Sequence, residues 1–201
     1  MKTNTLFGFI FLVSVWGCQP DPVPPNQNVV ALYERFHGKY KPTQAIASEA
    51  VDVNLDGKSS VDLFNEIGGL TSGGAMQINI ISKSKYVSAD EFLFTQFWPE
   101  QYLSNLGKPI DGPADYDPNI TVNYAEQPVT RRCQFNPQLT EITLDPDQNP
   151  PVNSIRWGRP DSIKIIGDQQ IQVVNQRQFY TRAGWKTVTV TTLYERYQKT
   201  T

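Results

Sequence analysis

The sequence predicts an all-β fold, either a sandwich or an up-and-down barrel, and three observations carry that prediction. Runs rich in β-branched and aromatic residues recur from Met76 to Tyr197. Several alternate apolar with polar positions, as in Ile120-Thr121-Val122-Asn123-Tyr124, which is the period of a half-buried strand. Short turn clusters separate the runs: Asp145-Pro146-Asp147, Asn149-Pro150-Pro151, Gly167-Asp168 and Ala183-Gly184, each built from residues that set or tolerate turn dihedrals. The 201 residues suit one domain, and 39% apolar residues support a core. The net charge of −2, without a basic stripe, argues against nucleic acid as a partner.

The first residues read as a targeting segment. Lys2 supplies positive charge, and Leu6 to Val15 form an apolar run too short to span a bilayer well. Val15-Trp16-Gly17-Cys18 resembles the lipobox of bacterial lipoproteins, with Trp16 in place of the usual small residue. The resemblance implies cleavage of residues 1–17, lipid on Cys18, and a membrane-anchored protein that is periplasmic or on the cell surface. Residues 18–28 then form a proline-rich tether, since four prolines between residues 19 and 28 favour extended chain. The folded domain is expected over residues 29–201. With Cys18 lipidated, Cys133 has no cysteine partner in the chain, so no disulfide framework is expected, and Cys133 reads as a small core residue.

Within the domain, a helical turn is expected through Tyr33 and Phe36, then an extended run from Gly38 to Ala47. Val61, Leu63, Phe64 and Ile67 fall at helical spacing and predict about two turns of helix, ended by Gly68-Gly69. Strands are expected over Met76 to Ser82, Phe92 to Trp98, Ile120 to Tyr124, Arg131 to Phe135, Leu139 to Leu144, Ser154 to Trp157, Ile163 to Ile166, Ile171 to Phe179 and Trp185 to Tyr197. Ser88-Ala89-Asp90-Glu91 has the form of a helix capping box, but the aromatic content after it and Pro99 favour a strand. Residues 106–119 form the longest loop.

The stretch from Asp52 to Asp62 is the most informative for chemistry. Asp52, Asn54 and Asp56 place side-chain oxygens at alternate positions, and Gly57 follows the third. Such oxygens converge on a hard cation while the glycine allows a sharp turn. The string resembles EF-hand and dockerin-type loops, which implies bound Ca2+ with Asp52, Asn54 and Asp56 as side-chain ligands and Lys58 as a carbonyl ligand. The twelfth position is Leu63, so the closing acid falls one residue early, at Asp62, with Ser60 or Glu66 as auxiliaries. The competing reading is a polar turn capping a helix, with Ser59 as cap and Asp62 reaching back.

Phe36-His37-Gly38-Lys39-Tyr40 resembles the Gly-x-Trp signature of the first strand of lipocalin-like barrels, with Tyr40 replacing the tryptophan. In that family an arginine near the last strand covers the ring, and Arg196 is suitably placed. The resemblance implies an up-and-down, lipocalin-like β-barrel of about eight strands, with one short helix after the calcium-type loop. Such a barrel can hold one small apolar ligand.

Other candidates read more plainly. Asp111, Asp115 and Asp117 lack the alternation of a cation loop and suggest a solvated loop. His37 is the only histidine, and no nucleophile triad, phosphate loop or zinc spacing accompanies it. Trp98, Trp157 and Trp185 suit either a core or a sugar-stacking platform. The expected function is non-enzymatic binding of a small apolar molecule. The alternative is a surface module that binds carbohydrate or protein without an interior ligand.

Overall fold

The structure, a computed structural model, describes residues 29–86, 89–110, 112, 114–146 and 159–199. Cys18 with its leader and tether, Asp111, Ser88, and the strand expected over Ser154 to Trp157 lie outside the described residues. The elements in chain order are α1 (Val29–Phe36), β1 (Gly38–Val51), β2 (Ser60–Asp62), α2 (Leu70–Gly73), β3 (Met76–Ile81), β4 (Glu91–Asn105), β5 (Lys108–Ile110), β6 (Ile120–Phe135), β7 (Ile142–Leu144), β8 (Ser162–Ile165), β9 (Gln170–Thr181) and β10 (Gly184–Gln198).

Eight of these strands form one antiparallel path in the order β7-β6-β4-β3-β1-β10-β9-β8. Leaving aside β2 and β5, each strand lies beside its neighbour in sequence, and β10 returns to β1. This is an up-and-down barrel. It is nearly closed: at the seam between β7 and β8, Glu141 bridges Lys164, and the Ile165 N–H donates to the Thr140 carbonyl (2.9 Å). The two additional strands occupy edges that longer neighbours leave bare. β3 pairs with β1 only at Gly38 to Tyr40, so β2 pairs further along β1, at Ile46 and Val51. β3 reaches only Gln96 on β4, so β5 folds back onto Leu103 to Asn105. The Leu106-Gly107 turn that allows this has positive φ at both residues (49° and 76°), the geometry of a tight hairpin.

The segment Phe92 to Trp98 is a strand, as expected, and it continues through Pro99. Phe97 N–H donates to the Ala75 carbonyl at the end of the β3 edge. Two residues on, Pro99 faces the same side, past the last β3 pairing, so its missing donor interrupts no ladder bond. The helix expected over Val61 to Ile67 is not formed. Ser60–Asp62 is strand β2, Leu63 N–H donates to the Ala45 carbonyl (2.9 Å), and a single turn follows, closed by Ile67 N–H on the Leu63 carbonyl (2.8 Å). The bare edge of β1 outcompetes the helical periodicity. The short helix, α2, comes after Gly68-Gly69 rather than before it.

Two apolar clusters fill the barrel. One holds Leu32 and Phe36 of α1 with Tyr40, Met76, Ile78, Phe94, Phe135, Ile171, Val173 and Tyr194. Its α1 end is drawn tight by Tyr40, whose hydroxyl donates to the Phe36 carbonyl (2.7 Å), and by Phe36 stacked on Phe135 at 4.8 Å. Arg196 stands opposite Tyr40 across β1 and β10 and donates to the Glu34 carbonyl (3.2 Å). Gly38, at φ 144°, lies so close to β10 that a Cβ would overlap the Gln198 carbonyl oxygen. The other cluster holds Ala45, Val51, Val53, Leu63, Trp98, Phe179, Val188 and Val190 toward the Asp52 loop.

Candidate functional site

Between the two apolar clusters the inner wall turns polar. Strand parity explains how. Phe94, Gln96, Trp98 and Glu100 alternate inward on β4, and Val173, Asn175, Arg177 and Phe179 do so on β9. Arg177 Nη1 donates to Glu100 Oε1 (3.2 Å), and Nη2 donates to Gln96 Oε1 (3.1 Å). Gln96 Nε2 donates to Asn175 Oδ1 (3.1 Å) and to the Tyr194 hydroxyl (3.0 Å). The guanidinium lies 4.4 Å from the centroid of the Trp98 ring, a cation–π arrangement. Only 3% and 4% of the Arg177 and Glu100 side chains are exposed. Burial pulls the Arg177 pKa down, while the charge of Glu100 beside it pushes back; a guanidinium stays charged even so. Burial raises the Tyr194 pKa, so its hydroxyl is neutral. Composition hides this band, but the alternation from Ile171 to Phe179 already aims Asn175 and Arg177 inward.

The Asp52 loop caps the other end. Leu55 (φ 61°) and Gly57 (φ 88°) turn the chain sharply. Its oxygens fold back onto the loop's own backbone. Asp52 Oδ2 accepts from Gly57 N–H (3.0 Å), Asn54 Oδ1 from Asp56 N–H (2.9 Å), and Asp56 Oδ1 from Lys58 N–H (2.7 Å). Asp62 Oδ1 accepts from Phe64 N–H (3.0 Å), reaching forward along the chain rather than back. Glu66, only 4% exposed, accepts from Val53 N–H (2.9 Å) and Asn54 N–H (3.4 Å). Asn54, Asp56 and Lys58 are exposed, Asp62 is half-buried, and Asp52 is buried. Among the described residues no three His, Cys, Asp or Glu side chains converge closely enough to hold a metal. One feature does suit a cation. Asp52 Oδ1 is buried and accepts no hydrogen bond, and an unsatisfied carboxylate oxygen is costly. Asp52, with the Asn54 and Asp56 side chains and the Lys58 carbonyl, would supply oxygen ligands of the kind calcium takes.

Sequence reasoning missed Arg182, in the turn between β9 and β10. Its Nε lies 3.4 Å from Asp52 Oδ2, and its Nη2 donates to the Leu55 carbonyl (2.8 Å). The pairing spans the whole domain, and no local spacing announces it.

The remaining candidates have structural surroundings. Gln101 bridges β4 to β9: its Oε1 accepts from Tyr180 N–H (2.7 Å), and its amide donates to the Val53 carbonyl (3.4 Å). Asp115 and Asp117 meet Tyr180 through their backbones, the Asp115 carbonyl accepting from its hydroxyl (2.9 Å) and the Asp117 N–H donating to it (3.1 Å). His37 stacks on Tyr33 at 4.2 Å, and its Nδ1 accepts from Ile80 N–H (3.0 Å). Cys133 is buried and free, its thiol pKa pushed up to about 12 by burial, which makes it a poor nucleophile. Trp98 is inside the barrel, Trp185 packs edge-on against Tyr180 at 5.6 Å, and Trp157 lies outside the described residues. A groove of about 310 Å³ runs along the seam, lined by residues including Thr143, Leu144, Arg159 and Asp161.

The chain matches no family model, no curated protein and no solved structure.

Proposed function

We propose that this protein is a lipid-anchored, extracytoplasmic binding protein whose lipocalin-like barrel holds a small, largely apolar ligand without transforming it. The observation that carries the reading is the polar band inside an otherwise apolar, nearly closed barrel. A buried ion pair contributes little to stability compared with well-packed apolar residues, whereas a few polar groups in an apolar interior are what orients a small ligand. Gln96, Asn175 and Tyr194 are the groups that would read its polar end. Lipid on Cys18 supplies the anchor and residues 19–28 the spacer. Calcium at the Asp52 loop, held by Asp52, Asn54, Asp56, the Lys58 carbonyl and Asp62, is the structural ion of this reading.

One experiment addresses anchor and ligand together. Cys18→Ser is expected to move the protein from the membrane fraction to the soluble fraction, because the lipid supplies the attachment. That soluble form is then expected to bind an environment-sensitive apolar probe saturably. Unchanged membrane retention overturns the anchor, and a linear, unsaturable response overturns the interior ligand. A second reading is favoured by the filling of the interior: Trp98, Tyr40, Tyr194, Phe36 and Phe94 are all fully buried. On that reading the barrel is a solid surface module, and the exposed Tyr102, which shares a face of the paired β4 and β6 with Asn123 and Gln127, meets its partner.

A further inference from the structure

We infer that Arg182 is the resident cation of the Asp52 loop and that it competes with calcium for the Asp52 carboxylate. The inference rests on the calcium reading of that loop and adds its regulation. Asp52 has one oxygen engaged and one orphaned. Oδ2 is shared between Gly57 N–H and Arg182 Nε, at 3.0 and 3.4 Å. Oδ1 is buried without a hydrogen bond. The Asp52 side chain is only 10% exposed, so its charge is poorly solvated and calls for a cation. Arg182 answers from outside: 53% of its side chain is exposed, and it spans from Asp52 to the Leu55 carbonyl. Gly57 forms the floor beneath it. A Cβ on Gly57 would sit 3.6 Å from Arg182 Nη2, within ordinary contact.

Two cations cannot share this carboxylate without repulsion. A divalent ion drawing on both Asp52 oxygens expels the guanidinium, and the exposed stem of Arg182 gives it room to swing into solvent. Arg182 occupies the two-residue turn that joins β9 to β10, so its release loosens that turn. By linkage, whatever holds Arg182 on the loop weakens calcium by the same factor. The loop is thus latched by an arginine when calcium is scarce and by calcium when it is abundant.

The test is calorimetric titration of calcium into chelator-treated protein, for wild type, Arg182→Met and Arg182→Lys, with magnesium as a parallel arm. Arg182→Met is expected to bind calcium about 1.5- to fivefold more tightly than wild type, the scale of a largely exposed ion pair, with Arg182→Lys between them. Calcium should also speed hydrogen exchange at residues 181–184 in wild type but not in Arg182→Met. The substituted side chain is largely solvent-facing, so the variants should fold, which their melting curves check. Equal or weaker calcium affinity in Arg182→Met overturns the competition and leaves the calcium loop standing. No heat and no melting shift in any of the three overturns the calcium loop itself, and the competition with it.

Discussion

At one end of the barrel, α1 lays Leu32 and Phe36 onto Tyr40 and Phe135. At the other, the Asp52 loop meets Gln101, Glu66 and Arg182 through hydrogen bonds and one ion pair. The first closure is apolar and needs only burial, with two backbone carbonyls tied down by Tyr40 and Arg196. The second leaves Asn54, Asp56, Gly57 and Lys58 exposed. An apolar closure responds to temperature and to lost volume; a polar one responds to ions and salt. The difference assigns stability to the α1 end and responsiveness to the loop end, and the band at Arg177 divides them.

The largest expected effect comes from the band. Arg177→Met removes the guanidinium 3.2 Å from a Glu100 carboxylate whose side chain is only 4% exposed, and so takes away its ion-pair partner. The expected loss is about 3–5 kcal/mol, read from denaturant unfolding. The double variant Arg177→Met, Glu100→Leu should recover most of it, since two apolar groups leave no charge to solvate. If the single variant unfolds like wild type, the pair is not the divider assumed here.

The ends themselves are compared next. Leu32→Ala is expected to cost about 2–5 kcal/mol, because α1 cannot collapse far onto the cavity left above Phe36. Asp56→Ala, in chelator, is expected to cost less than about 1 kcal/mol, the worth of one exposed hydrogen bond to Lys58 N–H. Similar losses at both sites would erase the distinction between the two closures.

The apolar end was largely legible in the sequence and the responsive end only in part. Alternation at Ile120 to Tyr124 and from Ile171 onward places strands correctly, because a period of two is local information. Gly38 and Tyr40 mark the start of β1 through a short motif that is likewise local. The helix expected at Val61 to Ile67 fails because the β1 edge, bare beyond its pairing with β3, offers Ser60–Asp62 a better partner than their own helix. That competition depends on where β3 ends, which no window around residue 61 contains. Asp52 reads as a calcium ligand in the sequence, which does not show its ion-pair partner Arg182, in a different hairpin. Arg177 and Glu100 were readable as inward-facing once their strands were drawn, yet only the barrel's closure brings them within 3.2 Å.

The smallest effect sharpens the contrast through pH, at the junction of α1 and β1. His37 Nδ1 accepts the Ile80 N–H, so the imidazole must be unprotonated at that nitrogen. Burial at this position lowers its pKa below the ordinary value of 6.5. In the unfolded chain the ring takes a proton near that ordinary value. The folded state therefore keeps its full advantage above about pH 6.5. As pH falls through the depressed folded pKa, the unfolded state is already protonated and the advantage is lost. Wild type should melt at a lower temperature at pH 5.5 than at pH 7.5. His37→Asn, which keeps an acceptor for the Ile80 N–H but cannot titrate, should show a smaller drop across the same interval. The loop end has no histidine, so if calcium stabilises the fold as proposed, its effect should be the same size in wild type and in His37→Asn at each pH. A pH response as large in His37→Asn as in wild type would move the acid sensitivity away from α1.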